Sequence, residues 1–293
     1  MRLIDLWNEP PPLIVGERIN VQGSRKIKRL LIEGDYDGIV EVAREQIAAG
    51  ARVLDVCVSS PDLVDEAGQL AALVKRLATS VDVPLMIDST DPAVIARALE
   101  QIPDGAIVNS VSLEGGRARI DAVVPMAKAH GAALVALTID ETGMGMTAAR
   151  KLEIAGRLYD IVVGEYGMAP RAVMVDALTF TLATGRPVWL DSARETIEGI
   201  RAIKRELPGI STILGVSDVS FGLAPAARAV LNAVFLSHCV EAGLDAAIVN
   251  VMDARVIPDI DETLRQLADD VIWNRGADAL PRFIDAFDAA ATP

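Results

Sequence analysis

Short apolar runs along this chain end, again and again, in polar residues. The run Thr212-Ile213-Leu214-Gly215-Val216 gives way to Ser217-Asp218-Val219-Ser220, which is how a buried strand looks where it delivers polar groups to a pocket mouth. The same layout recurs at Asp55, Asp88-Ser89-Thr90, Asn109-Ser110, Asp140-Glu141, Asp176 and Asn250. These runs predict strands at 13–19, 52–58, 84–87, 106–108, 132–139, 172–175, 212–216 and 246–249. Apolar residues at helical spacing predict helices at 37–49, 62–78, 92–101, 118–130, 148–166, 193–207, 225–242 and about 260–273. Strands that alternate with helices imply parallel pairing, and eight such units imply a closed barrel rather than an open sheet. The expected fold is α/β, a single (β/α)8 TIM barrel.

Turn chemistry supports the boundaries. Asp91-Pro92 is a helix start, because proline fits the first helical position and aspartate caps it, and Gly50 closes the helix 37–49. The longest links after strand ends are 20–36, 140–147 and 177–192; in a barrel such loops rim the active face, so they predict a sizeable, partly covered ligand site. One domain is expected over residues 1–293, with the barrel at about 13–273 and a tail at 274–293. The tail reads as a short amphipathic helix with a frayed end, used for packing or for assembly into a homodimer.

Composition narrows the class. With 51% hydrophobic residues the chain is globular. Its 28 basic and 41 acidic residues leave a net charge of -13, which argues against a polyanion groove, so nucleic acid is not an expected ligand. The segment from Met1 to Pro10 has no apolar signal core, and no apolar stretch is long enough to span a bilayer; a cytoplasmic protein without a membrane anchor is expected. Cys57 and Cys239 are too few and too far apart for a metal-ligand set. His130 closes a helix, His238 lies inside one, and no metal site is expected.

The candidate chemistry lies at three strand ends. Asp88, Asn109 and Asp176 close strands three, four and six, where polar residues of a barrel read as functional. Two carboxylates and an amide aimed inward match a heteroaromatic edge with several N–H donors and one carbonyl, such as a 2-amino-4-oxo pyrimidine. The competing reading is that each caps the next helix or binds loop backbone.

Gly16-Glu17-Arg18-Ile19-Asn20, Ile87-Asp88-Ser89-Thr90, Val108-Asn109-Ser110, Val175-Asp176 and Gly215-Val216-Ser217-Asp218-Val219-Ser220 together resemble the pterin-binding barrel of methyltetrahydrofolate:corrinoid methyltransferases. The folate domain of cobalamin-dependent methionine synthase is similar, and the resemblance runs from about Leu13 to Asp253. It implies that Asp88, Asn109 and Asp176 clamp the pterin ring and that Asn20 lies beside it. Arg228 matches an arginine that helps hold the substrate, with a surface helix cation as the alternative. Glu17 and Asp55 are read as structural, bonded to loop backbone.

The implied substrate is tetrahydrofolate or methyltetrahydrofolate, and the implied acceptor or donor of its N5 methyl group is a cobalt corrinoid (cobalamin). Position 128 is Lys, so His130 lacks the Asp-x-His-x-x-Gly setting of corrinoid ligation; the corrinoid is therefore expected on a partner protein. Asp218 stands where the family has the Asn that contacts N5. An amide donates or accepts at any pH and a carboxylate donates only when protonated. Asp218 is thus a catalytic acid, an ionised acceptor that bonds a protonated N5 or loop backbone and tunes affinity, or the mark of a non-catalytic folate binder. A dihydropteroate synthase-like enzyme would share the clamp, but it should add a lysine and arginine set for pyrophosphate, which residues 215–223 lack.

Overall fold

A computed structural model of the chain describes residues 10–63, 65–103, 105–251 and 260–291. The leader at 1–9, the limit of the motif resemblance at Asp253 and the last two residues of the tail lie outside the described residues. Eight parallel strands, β1 (Leu13–Asn20), β2 (Val53–Cys57), β3 (Leu85–Asp88), β4 (Ile107–Val111), β5 (Ala133–Leu137), β6 (Val173–Asp176), β7 (Ser211–Gly215) and β8 (Ala246–Val249), close into a barrel in sequence order, with β8 paired to β1.

Alternation along each strand sorts the side chains. Val15, Val53, Met86, Ile107, Val135, Met174, Ile213 and Ala246 fill the barrel interior. Leu54, Ile87, Val108, Leu134, Val175 and Leu214 point outward into the layer shared with the helices. With a period of two, the next inward positions above Val53, Met86, Ile107 and Met174 are Asp55, Asp88, Asn109 and Asp176. The apolar plug therefore ends in one polar layer at the C-terminal mouth.

The segment 20–36, expected as loop, contains a helix, α1 (Arg25–Glu33). Ser24 Oγ accepts from Ile27 N, Ile27, Leu30 and Leu31 are buried, and Gly34 ends the helix at φ 71°. Three apolar residues at i, i+3 and i+4 carry this helix; its four basic residues hide the stripe. Helices α2 (Tyr36–Ala48), α3 (Glu66–Ala78), α4 (Pro92–Leu99) and α5 (Ala118–Ala129) follow, all close to the expected bounds except α3, which starts four residues late because Asp65 caps it. The run 132–139 splits: β5 stops at Leu137, and Ile139–Asp140 pairs antiparallel with Gly143–Met144. Helix α6 (Ala148–Tyr159) widens into a π turn at Asp160–Glu165, and α7 (Ser192–Glu206) precedes β7. After β7 the polar run forms a 3-10 turn, Val216–Ser220, which leads to α8 (Pro225–Ala242).

Two helices, α9 (Glu262–Ile272) and α10 (Ala279–Ala291), complete the described chain. His238 on α8 meets Asp269 of α9 at 2.6 Å and packs edge-on against Trp273. Phe283 of α10 is fully buried and stacks edge-on with Phe287. Phe283→Ala should therefore cost about 3 to 5 kcal/mol by cavity formation, read as a lower urea midpoint at little-changed slope. An unaltered midpoint would mean that α10 is no part of the core.

Candidate functional site

The polar layer at the barrel mouth is built across neighbouring strands. Asp88 and Asn109 are register partners on β3 and β4. Asn20, at the end of β1, reaches acids on the next two strands, β2 and β3: its Nδ2 lies 3.3 Å from Asp88 Oδ2 and 3.4 Å from Asp55 Oδ2. Its Oδ1 accepts from Gln22 N at 2.9 Å, which fixes the amide with its donors toward the acids. The amide of Asn109 also faces Asp55. Asn20, Asp88 and Asn109, singled out on three separate motifs, form one group.

The other half comes from β6 and β7. Asp176 Oδ1 accepts from Leu178 N at 2.7 Å, in a turn that holds Leu178 at φ 55°. Asp218 lies in the 3-10 turn after β7, close enough for its charge to act on Asp176. Arg228 is no free surface cation: its Nε meets Ser220 Oγ at 3.3 Å and its Nη2 meets the Ser217 carbonyl at 3.4 Å. It ties the turn that presents Asp218 to the first turn of α8. Glu17 and Asp55 both bond side chains of the mouth, and Asp55 thereby departs from the expected bonding to loop backbone. Ser217 Oγ donates to Glu17, 3.1 Å from Oε2, which links β1 to the β7 turn, while Asp55 accepts from Asn20.

Electrostatics separate these acids from the structural ones. Burial, with Cys57 opposing and Glu66 adding, pushes Asp88 up to about 6. Burial pushes Asp176 up to about 7, with the Leu178 N–H and Lys151 pulling down and Asp218 pushing up. Asp55 is raised well above the carboxylate range by burial and by Asp88. Asp218 is raised by the walls around it, against Arg228; water still reaches its exposed side chain at the mouth, so its shift is held less firmly than that of Asp176. Asp140, equally a strand-end acid, behaves in the opposite way. Despite burial, the Thr142 hydroxyl and backbone and then Arg150 hold it low, and Arg157 Nη1 sits 2.7 Å away.

Asp140 thus has its cations, whereas the acids of the mouth are rich in acceptors and short of donors. Among the described residues, no three His, Cys, Asp or Glu side chains are placed to hold a metal ion. The missing partner that such a layer favours is a flat group edged with N–H donors.

Sequence reasoning passed over Lys151, which lies fully buried beneath Asp176. The signal was there: Lys151, Ile154, Ala155 and Leu158 form the buried stripe of α6, and a lysine on such a stripe needs an internal partner.

The barrel is similar in fold to dihydropteroate synthases. That of Burkholderia cenocepacia aligns with a TM-score of 0.60 at 20% identity, covering 96% of this chain and 92% of that one. That of Yersinia pestis gives 0.61 at 17% identity, covering 92% and 95%. In sequence the chain is nearer to two methionine synthases. It is 42% identical to that of Mycobacterium tuberculosis over 268 residues, which is 90% of this chain and 22% of the relative. It is 40% identical to that of Mycobacterium leprae over 298 residues, covering 99% and 24%. The chain therefore spans about a quarter of the length of these relatives. A family model described as pterin binding enzyme matches residues 16–250, a span that runs from the start of the Glu17 motif to the end of β8, and the chain belongs to that family.

Proposed function

We propose that this barrel binds a reduced folate at its mouth and passes the N5 methyl group between methyltetrahydrofolate and a cobalt corrinoid carried by a partner protein. The observation that carries the reading is the donor-poor ring of Asn20, Asp88, Asn109 and Asp176, whose carboxylates burial lifts above their ordinary range. A pterin edge supplies N–H donors to Asp88 and Asp176, and Asn109 can serve either a donor or an acceptor on the ring. The two methionine synthase relatives favour methyl transfer over the dihydropteroate synthase reading, whose support is fold alone.

In this proposal the chain orients the folate, excludes water from the ring and handles one proton. The corrinoid supplies the nucleophile that takes the methyl group. As the N5–methyl bond breaks, its electron pair stays on N5, and Asp218 delivers a proton there. A raised pKa suits the acid role, and Arg228 places the turn that carries it.

The test is methyl transfer to added reduced cobalamin, followed by its change in absorption, in the parent and in Asp218→Asn. Turnover by the parent is expected, falling as pH rises past the point where Asp218 ionises, with a flatter pH profile in Asp218→Asn. Folate binding without turnover in the parent, together with turnover at every pH in Asp218→Asn, would make this chain a binder disabled by its carboxylate. Product from a pterin pyrophosphate and 4-aminobenzoate would instead place it with the synthases.

A further inference from the structure

Lys151 is the largest side chain with almost no exposure, 1%, and a buried ammonium is costly unless its hydrogen bonds are met. They are met by backbone. Its Nζ lies 2.5 Å from the Ala177 carbonyl and 3.0 Å from the Leu178 carbonyl, and 5.6 Å from the centre of the Phe180 ring. These carbonyls belong to the two residues that follow Asp176. The Leu178 carbonyl is also met by Thr196 Oγ1 at 2.7 Å, while the Leu178 N–H is spent on Asp176 itself.

The chain has made room for this one side chain. A Cβ on Gly199 of α7 would stand 2.7 Å from Lys151 Cδ, and one on Gly145 would stand 3.3 Å from its Cα and Cγ. Leu178 holds a left-handed backbone, φ 55°, at a residue with no glycine freedom, a conformation that persists only where the surroundings over-determine it. Lys151 and Thr196 supply that determination on the carbonyl side, and Asp176 on the N–H side.

We propose that Lys151 is the positioning residue of the ring clamp: anchored from α6, it locks the Asp176-Ala177-Leu178 turn and holds the Asp176 carboxylate in place as an ionised acceptor for the ligand. The proposal rests on the pterin reading of the mouth. The charges facing Asp176 are Lys151 from α6 and Asp218 from the β7 turn, and those facing Lys151 are Asp176 and Glu195 of α7. Lys151 is the cation among them, so its loss leaves Asp176 with a like charge only.

The test uses Lys151→Met, which keeps the apolar length and removes the ammonium, and Gly199→Ala, which crowds the lysine chain without touching Asp176. In the ligand-free protein, with aspartate carboxyl carbons labelled for NMR, the Asp176 midpoint should rise by about one pH unit or more in Lys151→Met. Tetrahydrofolate affinity at pH 7 should fall about tenfold or more, and the loss should shrink at pH 9, where Asp176 ionises without help. Gly199→Ala should move both quantities the same way by less. A loss of affinity equal at both pH values, with the Asp176 midpoint unmoved, would reduce Lys151 to a packing role and overturn the proposal. If the parent binds no reduced folate, the pterin reading fails, while the Asp176 titration in the empty protein still decides the part played by Lys151.

Discussion

Asp88→Ala and Asp176→Ala should each weaken tetrahydrofolate binding by about 2 to 5 kcal/mol, roughly thirtyfold to several thousandfold in Kd. The size follows from what each truncation strands. In the proposed complex each carboxylate accepts from ring N–H groups inside the barrel mouth, and removing one partner leaves the other desolvated and unpaired. The pH of the measurement matters. The ligand selects the ionised carboxylates, so parent affinity is lost as pH falls through about 7 for Asp176 and about 6 for Asp88, close to tenfold per pH unit for each group. Calorimetry at pH 8 compares the variants with a fully ionised parent. Unchanged affinity in both variants there would mean that the acids at the mouth do not clamp the ring.

The barrel was legible because its two periodicities do not overlap. Runs such as Leu85-Met86-Ile87-Asp88 are too short for a helix, and each is followed by a stripe of apolar residues at helical spacing. The polar layer was legible for the same reason that it exists: a polar residue that ends an apolar strand falls on the inward face of the mouth. What stayed hidden depends on contacts between distant segments. Arg228 became a brace for the β7 turn only once Ser217 and Ser220 stood beside it, and Glu17 found Ser217 across two hundred residues of chain.

Asp140 marks the limit of strand-end reasoning. Its position in sequence is indistinguishable from that of Asp88 or Asp176, yet Arg150 and Arg157, both from α6, consume its charge. The difference lies in the helix that follows. Arg150, Lys151 and Arg157 are three cations of one helix, of which two serve the structural acid and the buried one serves the turn of Asp176. Helix spacing decides it, since Arg150 and Arg157 are seven positions apart and share a face that Lys151 does not. Sequence could reveal that face only with the barrel already assumed.

The ligand-free protein should lose stability as pH rises from about 5 to 8, a range in which many proteins are near their best. Asp176 moves from 3.8 in the unfolded chain to about 7 in the folded one. The folded state then binds more protons than the unfolded state between those values, so stability is lost as pH rises through them, by about 4 kcal/mol. Asp88, raised to about 6, and Asp55, raised by burial and by Asp88, act in the same direction. Lys151 has the complementary effect. Burial brings it from 10.5 down to about 8, the folded state sheds its proton first, and about 3 kcal/mol returns toward pH 10.5, but the buried thiols of Cys57 and Cys239, both raised, take stability away above about pH 9. Acids held low by cations, such as Asp62 beside Lys28 and Glu141 beside Arg157, titrate below this range and do not offset the fall. Urea midpoints taken across pH 5 to 8 should fall steadily. Asp176→Asn, which keeps an acceptor for the Leu178 N–H, should flatten the fall. Saturating tetrahydrofolate should offset the fall, because the ligand supplies the donors that the ionised carboxylates lack. Stability that climbs steadily from pH 5 to 8 in the empty protein would mean that these acids are ionised and satisfied without a ligand, and the reading of the mouth as a donor-poor clamp would fall with it.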